Sequence, residues 1–222
     1  MAEGRSFWSS LPGILTALAG LLTALGGLLL AFRDSGLIGV STPEPPAQPP
    51  GIEAAPDTGP APLALRGVAT TLTPERLARA FAQRGLFDRM LNPAGAGVAN
   101  RFATELHGDD AIIRDAATGL VWQAGGSAGL TYAAAESALK TMNEQAYAGH
   151  RDWRLPTAEE AASLLEPVAR NGRHIDPVFG SGVNFIWTAD RSPDGRIYVA
   201  YWVDGGLSRE RPAFHAWLKA VR

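Results

Sequence analysis

The residues of this chain that could carry chemistry are four histidines, one serine set between glycines, a glycine-rich turn, and a group of arginines and aromatics near the C-terminus. Zinc is the first test. A zinc site gathers Cys, His and carboxylates at close spacing, often as two histidines one helical turn apart. His107, His150, His174 and His215 are scattered and contain no i, i+4 pair, so each reads as a lone surface histidine. The chain has no cysteine, which removes thiolate ligands, disulfides and thiol nucleophiles together and leaves the redox compartment open. Ser181 lies in Gly180-Ser181-Gly182, which is not the Gly-x-Ser-x-Gly elbow, and no residue marks a base for it. Gly125-Gly126-Ser127 lacks the lysine and spacing of a phosphate-binding loop. The expectation is therefore a chain without catalytic residues, metal site or cofactor.

Charge narrows the partners. From Gly67 onward 17 basic residues face 17 acidic ones, and the whole chain carries a formal charge of -2. A nucleic-acid binder shows a basic footprint, so nucleic acid is not an expected partner. Only Lys140 and Lys219 are lysines; arginine supplies the remaining positive charge.

The elements that must position these residues centre on Gly149-His150-Arg151-Asp152-Trp153-Arg154-Leu155-Pro156-Thr157-Ala158-Glu159-Glu160. Pro156 pushes Leu155 into an extended conformation. Thr157 caps a helix and Glu160, three residues on, completes a capping box. Ala161, Leu164 and Leu165 line its apolar face, and Pro167 ends it, which gives a helix over 158–166. Trp153 fills a core in this reading, and Asp152 pairs with an arginine.

Upstream, Leu11 to Phe32 is a run of 22 residues without charge. At helical rise it spans about 33 Å, enough for a bilayer core of about 30 Å. Phe7 and Trp8 stand where an interfacial aromatic belt lies. A cleavable signal peptide fits less well, because no small-x-small cleavage site follows Phe32 before Arg33 and Asp34. A membrane anchor over 1–40 is expected, with membrane lipid as its first partner. Gly13, Ala17, Gly20, Ala24, Gly27 and Ala31 recur at alternating spacings of four and three. Small residues let membrane helices approach closely, so this stripe is the expected helix–helix interface of a homo-oligomer. Arg5 and Arg33 flank the span on opposite sides, so charge barely fixes orientation; a periplasmic or extracellular domain is slightly favoured. Residues 41–66 are proline-rich and read as a semi-rigid spacer.

Residues 67–107 read as a helical lead-in. Thr73 caps, Pro74 takes the first turn, Leu77, Ala80 and Phe81 form one face, and Gly85 stops the helix. Ala111–Asp115 and Leu120–Gln123 alternate like strands around a turn. Thr131 caps a helix to about Ala146, with Gly149 as its C-terminal stop. Strand-like runs then cover 184–189, 196–203 and 213–221. Strands, two helices and strands again give an α+β class with a small mixed or antiparallel sheet.

Asp152-Trp153-Arg154-Leu155-Pro156-Thr157 also resembles the signature of the Lcl C-terminal domain family. Ile113-Arg114-Asp115 leading to Thr118-Gly119-Leu120-Val121-Trp122-Gln123, Ile175-Asp176-Pro177-Val178-Phe179, Ile186-Trp187-Thr188-Ala189 and Lys219-Ala220-Val221-Arg222 follow in register. The resemblance covers about 108–222 and implies a C-type-lectin-like fold related to the formylglycine-generating architecture. That oxidation uses cysteines, which this chain lacks. The Glu-Pro-Asn, Gln-Pro-Asp and Trp-Asn-Asp tripeptides of calcium-dependent sugar-binding lectins are absent as well.

In such folds the loops among the later strands form the recognition surface, which the resemblance places between Trp187 and Phe214. With Val199 and Val203 toward the core, alternation points Tyr198 and Trp202 outward. Arg209 and Arg211 follow Gly205-Gly206, read as a flexible turn, and could meet an acidic group on a glycan or a protein. Aromatics and arginine are the types enriched at binding hot spots. Tyr198, Trp202, Arg209 and Arg211 are therefore the expected ligand-binding residues of a membrane-anchored binding or adhesion module. The alternative is a structural membrane protein that assembles through its helix and domain.

Overall fold

The computed structural model describes residues 60–222 apart from Ala128. The apolar run of 11–32, its stripe of Gly13, Ala17, Gly20, Ala24, Gly27 and Ala31, and most of the proline-rich spacer lie outside the described residues. Among the described residues no helix is long and apolar enough to cross a membrane.

Helix α1 (Pro74–Arg84) forms where its signals place it. The Thr73 hydroxyl accepts from the Arg76 N–H, and Gly85 ends the helix at φ 66°. Leu77 and Phe81, four residues apart on one face, are fully buried. Asp88 then fixes the turn that follows, its carboxylate accepting from the Met90, Leu91 and Leu207 N–H groups.

Strand β1 (Phe102–His107) replaces the end of the expected helical lead-in. It pairs antiparallel with β2 (Asp110–Asp115), and β2 pairs with β3 (Val121–Gln123) with Ile113 opposite Trp122. The helix upstream has already ended at Gly85, and the partner strand supplies the pairing that local pattern alone does not show. Helix α2 (Tyr132–Glu144) starts at the Thr131 cap and stops at Gln145, short of Gly149. Ala146 and Ala148, at φ 54° and 50°, carry the chain through a tight turn instead.

Helix α3 is only Ala158–Ala162, shorter than the predicted 158–166, but its capping box is complete. The Thr157 N–H donates to Glu160 Oε2 at 2.8 Å and the Glu160 N–H donates to Thr157 Oγ1 at 3.2 Å. The second sheet, β4 (Phe185–Arg191), β5 (Ile197–Tyr201) and β6 (Gly206–Glu210), is antiparallel in that order. So the α+β class holds, with two three-stranded antiparallel sheets in place of one.

The expected last strand, 213–221, is corrected to a ribbon held by isolated bridges. Pairing is split because the ribbon serves both sheets. Trp217 pairs parallel with Ile186 of β4, while Val221 bridges both Trp122 of β3 and Arg154. Trp153 is buried as expected, and its indole N–H donates to the Tyr147 carbonyl at 3.0 Å. Asp152 meets Arg222 at 2.8 Å, and Arg154 grips Glu160 through two bonds of 2.7 and 2.6 Å.

A long-range charge network locks α3. Asp190 is fully buried and accepts from Arg66 Nη1 and Nη2 at 2.9 and 2.6 Å, and from the Thr70 and Ala158 N–H groups at 2.7 Å each. Glu159 takes Arg66 Nε at 3.2 Å and Arg84 Nε at 3.1 Å. The last residues of the expected spacer thus belong to the fold: Leu63 and Leu65 pack on the core, and Arg66 is its clamp.

Candidate ligand-binding site

The four sequence-predicted binding residues separate in space. Tyr198 is 2% exposed and its hydroxyl donates to the Leu72 carbonyl at 2.9 Å. Trp202 is 0% exposed and its ring packs on Phe179. The expectation that both face solvent is corrected. Strand β5 is the middle strand and is buried on both faces, so alternation does not separate a wet side from a dry one. Trp202 lies past the strand end, in the turn that follows, and Val203, expected on the core side, is 48% exposed.

Gly205-Gly206 is not a loose turn. Both glycines are buried, and a Cβ on Gly205 would sit 2.6 Å from His174 Cγ. Close approach, with φ at 70°, is what requires glycine there. His174 is accordingly buried, stacked 5.7 Å from Phe87 with Nδ1 2.7 Å from the Glu166 carbonyl oxygen, and is not a surface histidine. Among the described residues no group of three His, Cys, Asp or Glu side chains could hold a metal ion.

Arg209 and Arg211 are exposed, as the sequence suggests, but their surroundings differ. The Thr73 hydroxyl and, more weakly, the Arg209 charge hold the Glu75 carboxyl below its usual range. The Ser192 hydroxyl, with Arg209 again assisting, does the same at Asp194. Arg209, like Arg211, forms no ion pair among the described residues, so what separates the two is the groove that Arg211 lines.

Arg211 lines a groove of about 400 Å³ with Arg196, Glu210, Ala213 and Phe214. Arg196 reaches Asp194 at 3.5 Å on an exposed flank. The Tyr201 hydroxyl donates to Glu210 at 2.9 Å, and burial followed by that carboxylate pushes the phenol well above its usual range. Phe214 is braced by Phe185 and Trp187, at 5.5 and 6.1 Å between ring centres. The groove thus sets two guanidinium groups beside a held aromatic wall. Such a surface can hydrogen-bond acidic oxygens while an apolar face packs on the ring. Phe214 was not among the sequence-predicted residues; its role comes from the ribbon that returns it to β4.

Lys219, one of the terminal motif residues, is fully buried. Its ammonium donates to the Ala124 and Gly125 carbonyls at 2.8 and 2.7 Å. Burial, aided by the charge of Arg173, pulls it down to about 7.

Residues 111–222, half of the chain, match the model of the family described as the Lcl C-terminal domain. No curated protein and no solved structure matches the chain.

Proposed function

The chain belongs to the Lcl C-terminal domain family, and from that premise we propose that it is a membrane-tethered, non-catalytic binding module. Its domain adopts a C-type-lectin-like fold. In support, the C-terminal ribbon returns to the first strands of the matched region, where the Val121 N–H donates to the Arg222 carbonyl at 3.0 Å and Arg222 N–H returns the bond at 2.9 Å. The exposed end of β6 and the segment after it are left to carry a recognition surface. The run of 11–32 anchors the chain as a single span in the cell membrane, and the proline-rich spacer sets the domain off from the bilayer.

The observation that carries the reading is the pair of guanidinium groups, Arg196 and Arg211, beside Phe214, with Arg211 left without an ion pair among the described residues. An exposed, uncommitted arginine next to a fixed aromatic is the composition of a binding hot spot. The ligand it fits carries an acidic group, on a glycan or on a protein. The experiment is an array of acidic glycans, their neutral counterparts and acidic peptides, probed with the full chain in detergent. Retention of acidic members, weakened by added salt, is the expected result. Equal retention of neutral members contradicts the reading. If no member is retained and the domain self-associates, the chain is the alternative, a structural assembly protein.

A further inference from the structure

A second feature lies away from the groove. The ring of Phe179 gathers Phe102, Trp202 and Trp122 at 5.1, 5.9 and 6.3 Å between centres, and the Lys219 ammonium stands 5.2 Å from its centre. Arg173 reaches over Trp202, with Cζ 5.4 Å from the ring centre. Five buried side-chain polar atoms lack a hydrogen-bond partner among the described residues, and four belong to this neighbourhood: Trp122 Nε1, Trp202 Nε1, Arg173 Nε and Arg173 Nη2. All four are donors. A buried donor without an acceptor costs about 1–3 kcal/mol, and more on a charged group. The region sets these donors beside two cationic side chains, and among the described residues neither Arg173 nor Lys219 forms an ion pair.

The unpartnered edge of Arg173 has a specific shape. Nη1 donates to the Gly180 carbonyl. Nε and Nη2 share the opposite edge, where their N–H groups run parallel, the fork that matches the two oxygens of a carboxylate. Arg173 also lines a cavity of about 290 Å³ with Arg170, Asn171, Ile175, Pro177, Gly180 and Ser181. That volume is near the low end for ligand pockets. The neighbouring Arg170 is already matched, by Glu166 at 2.9 Å and Asp176 at 3.2 Å. A single uncommitted charge, a planar fork and the apolar side chains of Ile175 and Pro177 favour a planar monoanion over a tetrahedral dianion.

We infer that Arg173 anchors a second site, distinct from the Arg211 groove, that binds the carboxylate of a small apolar organic acid. The turn that presents it is well defined: Arg170 and Arg173 exchange backbone bonds of 2.7 and 3.0 Å across Asn171 and Gly172, both at positive φ. Because Nε and Nη2 are shielded, binding takes a rotation of the Arg173 side chain toward the cavity, with the turn as a fixed base.

The test is titration of the full chain in detergent micelles with benzoate, with benzamide as the neutral isostere and with sulfate, followed through the arginine Nε–H and indole N–H resonances. Benzoate is expected to shift a subset of both signals, with benzamide and sulfate inert. Arg173→Lys keeps the charge and removes the fork, so benzoate should bind about tenfold to a hundredfold more weakly, as expected for loss of a charge-assisted bond. The Arg196→Ala/Arg211→Ala variant should bind benzoate normally, so failure of the groove and failure of this site are distinguishable. Equal binding of benzamide or sulfate, no benzoate shift, or an undiminished Arg173→Lys response overturns the inference. Should Arg173→Lys not fold, the three-ligand comparison on the unmodified chain decides alone.

Discussion

Replacing Asp190 with alanine should be among the most damaging single changes in this domain. The carboxylate is fully buried and accepts four hydrogen bonds, two from Arg66 and one each from the Thr70 and Ala158 N–H groups. Alanine leaves the Arg66 guanidinium facing only Glu159 at 3.2 Å and the Val68 carbonyl. It also strips an acceptor from the first turn of α3. Breaking a buried pair by removing one partner costs about 3–5 kcal/mol, because the other charge stays behind. For a domain of this size each kcal/mol lowers the melting temperature by about 2–4 °C, so a fall of roughly 6 to 20 °C follows. Urea unfolding of the full chain in detergent measures the loss directly. Arg66→Ala closes a double-mutant cycle: the double variant should lose clearly less than the two single losses added together. A single-variant loss below about 1 kcal/mol, or strict additivity in the cycle, refutes the claim that this network clamps residues 63–72 to α3.

Two further outcomes follow from other buried side chains. Trp153→Ala removes an indole whose N–H is bonded to Tyr147 and whose backbone is clamped by Asn143 at 2.9 and 2.8 Å; a loss of about 3–5 kcal/mol is expected, and an equally stable variant that had lost only ligand binding would put Trp153 in a site. Lys219 gives a pH dependence with a definite sign. The unfolded chain holds the lysine proton up to an ordinary value of 10.5, whereas the folded chain releases it near 7. Between those values the unfolded state carries more protons, so this group raises stability as pH rises, by at most about 1.4 kcal/mol per pH unit, and contributes no slope below about pH 7. Lys219→Met should flatten denaturation midpoints measured from pH 7 to 10; an unchanged slope contradicts the assignment.

Local chemistry was legible in the chain. Thr73, Thr131 and Thr157 all cap the helices they were read to cap, because an N-cap is decided within four residues. The strands around Thr118-Gly119 were legible for the same reason, whereas the arginine that Asp152 pairs with, Arg222, lies 70 positions away and could not be named from local pattern. What escaped depends on contacts far along the chain. Asp190 meets Arg66 across 124 positions, and nothing local ties a proline-rich tail to a strand end. Strand β1 gains its identity from β2, and the terminal ribbon divides its bonds between two sheets. Tyr198 failed as an exposed residue because β5 is covered on both faces, a fact of layer order and not of alternation.

The central claim is that the groove of Arg196, Arg211 and Phe214 is the recognition surface. Its most direct test is the affinity of the Arg196→Ala/Arg211→Ala variant for the acidic ligand best retained from the array, measured by titration beside the unmodified chain, with melting temperature as the control for folding. Trp202 and Tyr198 are left intact, since their burial makes them part of the core. The account predicts an unchanged melting temperature and binding about tenfold or more weaker, as expected when charge-assisted bonds at a partly exposed site are lost. Full affinity in a folded variant would contradict it and place recognition elsewhere on the domain.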